Sequence, residues 1–272
     1  LTPDLRIIYL AIVAVFGLLF GSFLNVCIYR TPRDLSIVAP RSFCPECGAR
    51  IVWFDNIPLV SYALLRAKCR SCGKAIGIRY PVVELATAVL FVAVAIEYGW
   101  TSGALKWAVF EAILLVLFWT DLEERILPDE LTLGGTAAGL IFAVFILVPG
   151  VFGELLLPGA GPVWRSLLNA ALGAGLLAGP LWLLGHAYAR VRKREGIGLG
   201  DVKLLLFLGV FLGLENGLLA VLIGAVGGSL IGALYLWSTR KEAATYELPF
   251  GSFLCAGAAF VPLIERIGLG VL

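Results

Sequence analysis

Stretches of apolar sequence long enough to cross a bilayer recur through this chain of 272 residues, and that recurrence decides the class of fold. They lie near 5–29, 81–98, 103–120, 128–149, 166–189, 201–214, 216–238 and 249–270. A backbone inside lipid has no water to bond, so each stretch must satisfy its own N–H and C=O groups as a helix. Hydrophobic residues make up 60% of the chain, charged residues 15%, and the mean hydropathy is +0.95. No soluble domain of this size needs so much apolar sequence. The expectation is an all-α polytopic membrane protein with about eight transmembrane helices and a small polar domain after the first. The sixth stretch is short enough to be a re-entrant segment instead of a full span. A net charge of only +2 gives no general attraction to nucleic acid.

Basic residues set the orientation. Sixteen of the 21 Lys and Arg fall in four segments: nine within 30–80, Arg125, the group Arg190, Arg192, Lys193 and Arg194, and the pair Arg240 and Lys241. These are alternate loops, as the positive-inside rule requires for eight spans with both termini outside. The loop at 150–164 has no basic residue, which suits the external face. The segment 30–80 then faces the cytoplasm. The first apolar run is longer than a signal-peptide core, and most nearby basic residues follow it, so it reads as a retained anchor. The chain opens on Leu1 and has no Met, and it is expected not to be the complete primary translation product.

The segment 30–80 is the one sizeable polar part. It carries Cys44-Pro45-Glu46-Cys47 and Cys69-Arg70-Ser71-Cys72, two CxxC pairs each followed by a glycine, Gly48 and Gly73. Four thiols in that pattern suit a tetrahedral zinc site of the ribbon type, and a metal would organise a loop too small to build its own core. An iron–sulfur cluster and redox thiols are the alternatives; two disulfides do not suit a reducing face. Cys27 and Cys255 lie in apolar runs and read as core residues.

Two acids stand at the ends of apolar runs. Asp121 closes the run 107–120, which only Glu111 interrupts, and Asp201 ends Gly198-Leu199-Gly200-Asp201. An acid at the mouth of a membrane helix is costly and usually has a task. Two of them suggest an aspartic protease dyad, one carboxylate ionised and the other protonated. On spacing alone, two helix-end charges in the headgroup region account for them equally well. Other hydrolytic chemistries have less support. HExxH and GxSxG are absent, and the lone histidine, His186, lies near a helix end. Neither a P-loop nor GxGxxG is present. Gly224, Gly228 and Gly232, and Gly135 with Gly139, are spaced for close helix contacts.

Several motifs together resemble one family. They are Gly21-Ser22-Phe23-Leu24-Asn25-Val26 with Arg30, the two CxxC pairs, Asp55-Asn56-Ile57-Pro58, and Arg79-Tyr80-Pro81 with Glu84. Further along come Asp121, Leu127-Pro128-Asp129 with Leu131-Thr132, Gly198-Leu199-Gly200-Asp201 with Lys203, and Pro249-Phe250-Gly251. From about 21 to 258 this resembles the prepilin peptidases, or type IV leader peptidases. The resemblance implies a GxGD-type aspartic peptidase of the bacterial inner membrane, cleaving the basic leader from type IV prepilins and type II secretion pseudopilins at the cytoplasmic face. It implies a second activity in many members, methylation of the new N-terminus from S-adenosylmethionine, linked to the cysteine-bearing loop. It places catalysis on Asp121 and Asp201.

Beside that pair, Gly198 and Gly200, with Lys203 and Asp129, are the expected substrate-side residues. Asp129 is expected to cap or orient the turn after Pro128, and Lys203 to steady Asp201 or meet a lipid headgroup. The expected divisions are a first transmembrane helix (1–29), a cytoplasmic four-cysteine domain (30–80) and a peptidase domain (81–272). The expected partners are prepilin and pseudopilin substrates and membrane lipid, with no nucleic acid.

Two positions depart from the family pattern. Ala67 stands where a glycine usually precedes the third cysteine, a mild change unless φ is positive there. Ser252 stands where the family often has proline, with little more than an altered turn expected. From residues alone, a membrane transporter or ion carrier using intramembrane acids is the alternative.

Overall fold

The computed structural model describes residues 2–193, 198–239 and 248–264. Arg194, Arg240 and Lys241, and the end of the last expected span (265–270), lie outside the described residues. The chain divides into two compact units, Leu1–Val116 and Leu117–Leu272.

In the first unit, helix α1 spans Pro3–Arg30, with proline in its first turn, where a missing N–H costs nothing. A polar segment follows, with 3-10 turns at Thr31–Arg33 and Trp53–Asn56 and the short α2 at Val60–Leu64. Helix α3 then runs Arg79–Tyr98. On α1 the buried residues Gly17, Gly21, Leu24 and Ile28 share one face. A Cβ added at Gly17 would lie 2.6 Å from Ala88 Cα, and one at Gly21 2.7 Å from Glu84 Cα. The α1 and α3 backbones therefore touch and run antiparallel. Gly17 and Gly21 form a GxxxG step of the kind that brings membrane helices together, and it lies outside the glycine steps singled out in sequence. Helix α4, Ser102–Glu124, begins in the first unit and ends in the second.

The second unit continues with α5 (Asp129–Phe145), α6 (Val151–Leu156), α7 (Pro162–Arg192), α8 (Leu199–Thr239) and α9 (Phe250–Ile264). Helix α5 stops four residues before the end of the expected span 128–149. Pro149 disfavours helix in the residue before it. The freed backbone is bonded by α7: Val148 N–H donates to Ser166 Oγ at 2.9 Å, and Asn169 Nδ2 donates to Val148 O at 3.1 Å. Asn169 Oδ1 also takes the Gly153 N–H at 2.7 Å, seating α6 in a segment the sequence reads as plain loop.

Helix α8 is broken at Gly213, where φ is 76° and ψ −173°. The break separates the expected stretches 201–214 and 216–238. Its first part, Leu199–Leu212, is about 21 Å long at 1.5 Å per residue, short of a hydrocarbon core about 30 Å thick. Nearly every residue from Leu204 to Leu214 is buried, so this short helix is the centre of the unit. Gly209 makes that possible: its backbone lies directly on that of Gly173 and Ala174 in α7. In the second part, a Cβ at Gly224 would fall 2.9 Å from Leu254 Cα, and one at Gly228 2.8 Å from the Phe253 ring. These are the close contacts that the glycine spacing implies.

Among the described residues five helices, α1, α3, α4, α7 and α8, are long and apolar enough to cross a membrane. Helix α8 carries two of the expected stretches, and α5 and α9 are shorter. Among the described residues there is no strand, only the isolated bridges Phe43 to Arg50 and Lys68 to Ala75. The fold is thus an all-α polytopic membrane protein with a small cysteine-bearing segment after its first helix.

Candidate active site and metal centre

Asp121 lies in the last turn of α4 and is buried. The helix ends there because Arg125 takes a left-handed conformation, φ 58°, with its N–H on Asp121 O at 3.0 Å. A carboxylate at a helix C-terminus faces the negative end of the helix dipole. Helix α9 offsets this. Ser252 is its third residue, and its backbone N–H, one of the donors a helix start leaves unpaired, reaches Asp121 Oδ2 at 2.6 Å. The Ser252 hydroxyl lies 2.8 Å from the same Oδ2 and 2.9 Å from Phe118 O. A backbone N–H can only donate, so Oδ2 is the acceptor. Gly251 permits this approach: a Cβ there would sit 3.1 Å from Asp121 Cγ. Ser252 thus does far more than alter a turn, which corrects the sequence expectation.

Asp201 is the third residue of α8, within electrostatic reach of Asp121. The structure therefore brings together the two acids that the sequence singles out. Cys255, buried in α9, is within electrostatic reach of both, a position that its apolar setting in sequence does not reveal. Leu127 packs toward Gly200 and Gly251, and a Cβ at Gly200 would meet Leu127 Cβ at 3.3 Å. Gly198 stands before α8 with Asp201 Oδ2 3.9 Å from where its Cβ would be. Lys203 does not turn to Asp201. Its Nζ lies 2.6 and 2.7 Å from the two oxygens of Asp129. Asp129, 56% exposed, opens α5 without capping it by a side-chain bond, and its carboxylate is spent on this pair. So exposed a pair contributes about 1 kcal/mol or less, but it ties the start of α5 to the start of α8.

The four cysteines of the polar segment converge: their sulfur atoms all lie within 4.8 Å of one another. Each CxxC pair folds as the same turn. Cys44 N–H donates to Ala49 O at 2.9 Å and Gly48 N–H to Cys44 O at 2.9 Å; Cys69 N–H donates to Lys74 O at 2.8 Å and Gly73 N–H to Cys69 O at 2.9 Å. Gly48 and Gly73 both have φ of 70°, which glycine adopts freely. The N–H groups of Cys72 and Ser71 draw the Cys69 thiol down to about 7. The Lys74 N–H lowers Cys72, but desolvation and the neighbouring thiols outweigh it and push that thiol up to about 11. A site that yields one thiolate readily and shares further protons among four sulfurs is suited to zinc, whose binding displaces the rest. Purified protein is expected to carry one zinc ion per chain by elemental analysis. Cys69→Ser should lower that content and loosen the segment 30–80 to proteolysis, while cutting peptidase activity less than an aspartate substitution does. A folded, fully active, zinc-free preparation would refute the metal assignment.

Ala67 has φ of 56°, and Arg66 before it 50°. The glycine usual at this place is thus explained by conformation. An alanine held left-handed costs on the order of 1 kcal/mol, so the exchange is not mild.

A bundle of membrane helices with paired carboxylates at two helix ends, and a four-cysteine segment following the first helix, defines a multi-pass membrane protein equipped for acid–base chemistry. Residues 15–98 match the bacterial peptidase A24 N-terminal domain and residues 108–235 the type IV leader peptidase family. The chain belongs to that family. It is similar to a prepilin leader peptidase/N-methyltransferase of Myxococcus xanthus (strain DK1622), at 39% identity over 84% of this chain and 63% of the relative. Relatives of the same name in Burkholderia pseudomallei (strain 1026b) and Pseudomonas putida are 36% and 33% identical. Those alignments cover 92% and 90% of this chain and 84% and 87% of the relatives. The chain thus spans a little under two thirds of the Myxococcus protein and most of the other two. No solved structure matches it. With its apolar helices and these relatives, the protein is a multi-pass inner-membrane protein.

Proposed function

We propose that this protein is a bifunctional prepilin peptidase and N-methyltransferase. It removes the leader from type IV prepilins and type II secretion pseudopilins at the cytoplasmic face and methylates the amine so exposed. The observation that carries the peptidase reading is the clamp of Ser252 on Asp121, with Asp201 in electrostatic reach. The donors of Ser252 suit Asp121 to the role of general base, with the shared proton on Asp201 as general acid. Asp121 takes a proton from water as that water attacks the scissile carbonyl carbon, and Asp201 gives its proton to the carbonyl oxygen. When the tetrahedral diol collapses, one of its hydroxyls returns a proton to Asp201, the C–N bond breaks and the leaving amine receives the proton held by Asp121.

The alternating basic loops support a cytoplasmic position for both acids and for the four-cysteine segment. In this reading residues 1–29 are the first transmembrane helix, 30–80 the four-cysteine domain linked to methylation and 81–272 the peptidase domain. The substrate's apolar helix lies in lipid against the bundle, its scissile bond passing Gly198 and Gly200, with Lys203 and Asp129 holding the two helix starts beside it. Zinc on Cys44, Cys47, Cys69 and Cys72 is structural. S-adenosylmethionine, when bound, supplies an electrophilic methyl group on sulfur.

Purified protein incubated with a prepilin and S-adenosylmethionine is expected to yield a product lacking its leader and heavier by one methyl group in mass spectrometry. An uncut prepilin would overturn the peptidase reading. A cut but unmethylated product would overturn the second activity alone.

A further inference from the structure

The link from α4 to α5, residues 125–128, is short, yet one of its side chains reaches the starts of two other helices. Arg125 turns the chain out of α4, and buried Pro128 sets it into α5. Between them Leu127 is half-buried. A Cβ placed on Gly200, in the first turn of α8, would lie 3.3 Å from Leu127 Cβ and 3.4 Å from its Cδ1. A Cβ placed on Gly251, in the first turn of α9, would lie 3.1 Å from the same Cδ1. That second point is also 3.1 Å from Asp121 Cγ, so the tip of Leu127 and the carboxyl of Asp121 are no further apart than twice that distance.

Leu127 therefore meets the helix start that carries Asp201 and the helix start that brings the Ser252 donors to Asp121. It also grows from the link that follows the helix of Asp121 itself. Both contact points are glycines, and their bare backbones leave room for one branched side chain between the two helix starts. A polar fastening lies just outside: Lys203 on Asp129 joins the end of the same link to α8. A pair so exposed adds little and is screened by salt, so the holding falls to the apolar contact. Apolar bulk beside two carboxylates has a second effect. It keeps water from their flank, and the interaction of two acids depends steeply on how dry their surroundings are.

We propose that Leu127 is a positioning residue of the peptidase site, an apolar wedge that sets the spacing of Asp121 and Asp201 and keeps their flank dry. The proposal rests on the peptidase reading and deepens it, by assigning a residue that acts through the two acids and not on the scissile bond.

The test follows cleavage of a prepilin by the full-length protein in lipid nanodiscs as a function of pH. Leu127→Ala should lower kcat about ten- to a hundredfold and leave KM within about twofold, since the wedge orients the acids and does not hold the substrate. Its bell-shaped pH profile should also narrow. Water entering beside the acids weakens the coupling that spreads their two protonation steps apart. The other titratable side chains on the packed elements are Glu123, Glu124, Arg125, Cys255 and the Lys203–Asp129 pair, and the substitution alters none of them. Leu127→Met conserves volume and should recover most of the rate and the width of the profile. Near-wild-type cleavage by Leu127→Ala overturns the proposal. So does a loss of rate at unchanged profile width, or one that methionine does not recover, because either reduces Leu127 to ordinary packing. In all of these the wild type still cuts and the peptidase reading stands; a wild type that leaves prepilin uncut overturns both. Should Leu127→Ala fail to fold, Leu127→Val, shorter by one carbon, carries the same test with a smaller narrowing.

Discussion

Asp201→Asn is expected to abolish leader cleavage, by about 10³-fold or more, in a protein that still inserts and purifies normally. The amide keeps the size of the carboxyl but cannot pass a proton to the scissile carbonyl. Asp121→Asn should be as severe, because an amide at that place cannot take a proton from water. The two acids act on one water, so the double variant should be little worse than either single one. Ser252→Ala separates the clamp from the acid it holds. It keeps the backbone N–H on Asp121 and loses only the hydroxyl, so cleavage should fall about ten- to a hundredfold. Near-wild-type cleavage by either aspartate variant would remove the dyad from the mechanism. An inert Ser252→Ala would remove only the clamp.

Gly209→Ala should be the most damaging single methyl group in the second unit. Its Cβ would overlap the backbone of Gly173 and Ala174, and neither α7 nor the buried start of α8 can yield. Overpacking of a core costs about 1–3 kcal/mol when side chains can adjust, and here the obstacle is main chain. The expected outcome is little folded protein, or a melting temperature lowered by many degrees in detergent. Gly227→Ala is the matched control on the same helix: a Cβ there meets nothing within 4 Å. It should be neutral or slightly stabilising, since alanine favours helix over glycine. Equal melting of the two variants would mean that α7 and α8 do not press together as described.

What could be read before folding was chemistry carried by spacing along the chain. The cysteines announce themselves by two identical local turns, and the two aspartates by interrupting long apolar runs. Among the described residues most of the apolar sequence becomes helix or helix half, because lipid leaves the backbone no other partner. Ser252 was illegible for the opposite reason. Its meaning comes from α9 meeting α4 across 131 residues of sequence, and no local pattern records that approach. The same holds for Lys203 with Asp129, 74 residues apart. Ala67 was legible only as a departure; its left-handed backbone belongs to the folded loop. The end of α5 was missed because hydropathy continues past Phe145, whereas the helix stops where α7 side chains take over its backbone.

Arg70 lies between two of the cysteines, and the aspartate it grips, Asp55, is part of the wall of a cavity of about 310 Å³ in the first unit. The four-sulfur site and the cavity thus share a strut. Thermodynamic reciprocity then applies: to whatever extent zinc steadies that wall, a molecule seated in the cavity holds zinc more tightly by the same factor. Stripping zinc from the four sulfurs should then weaken binding in the cavity by that same factor.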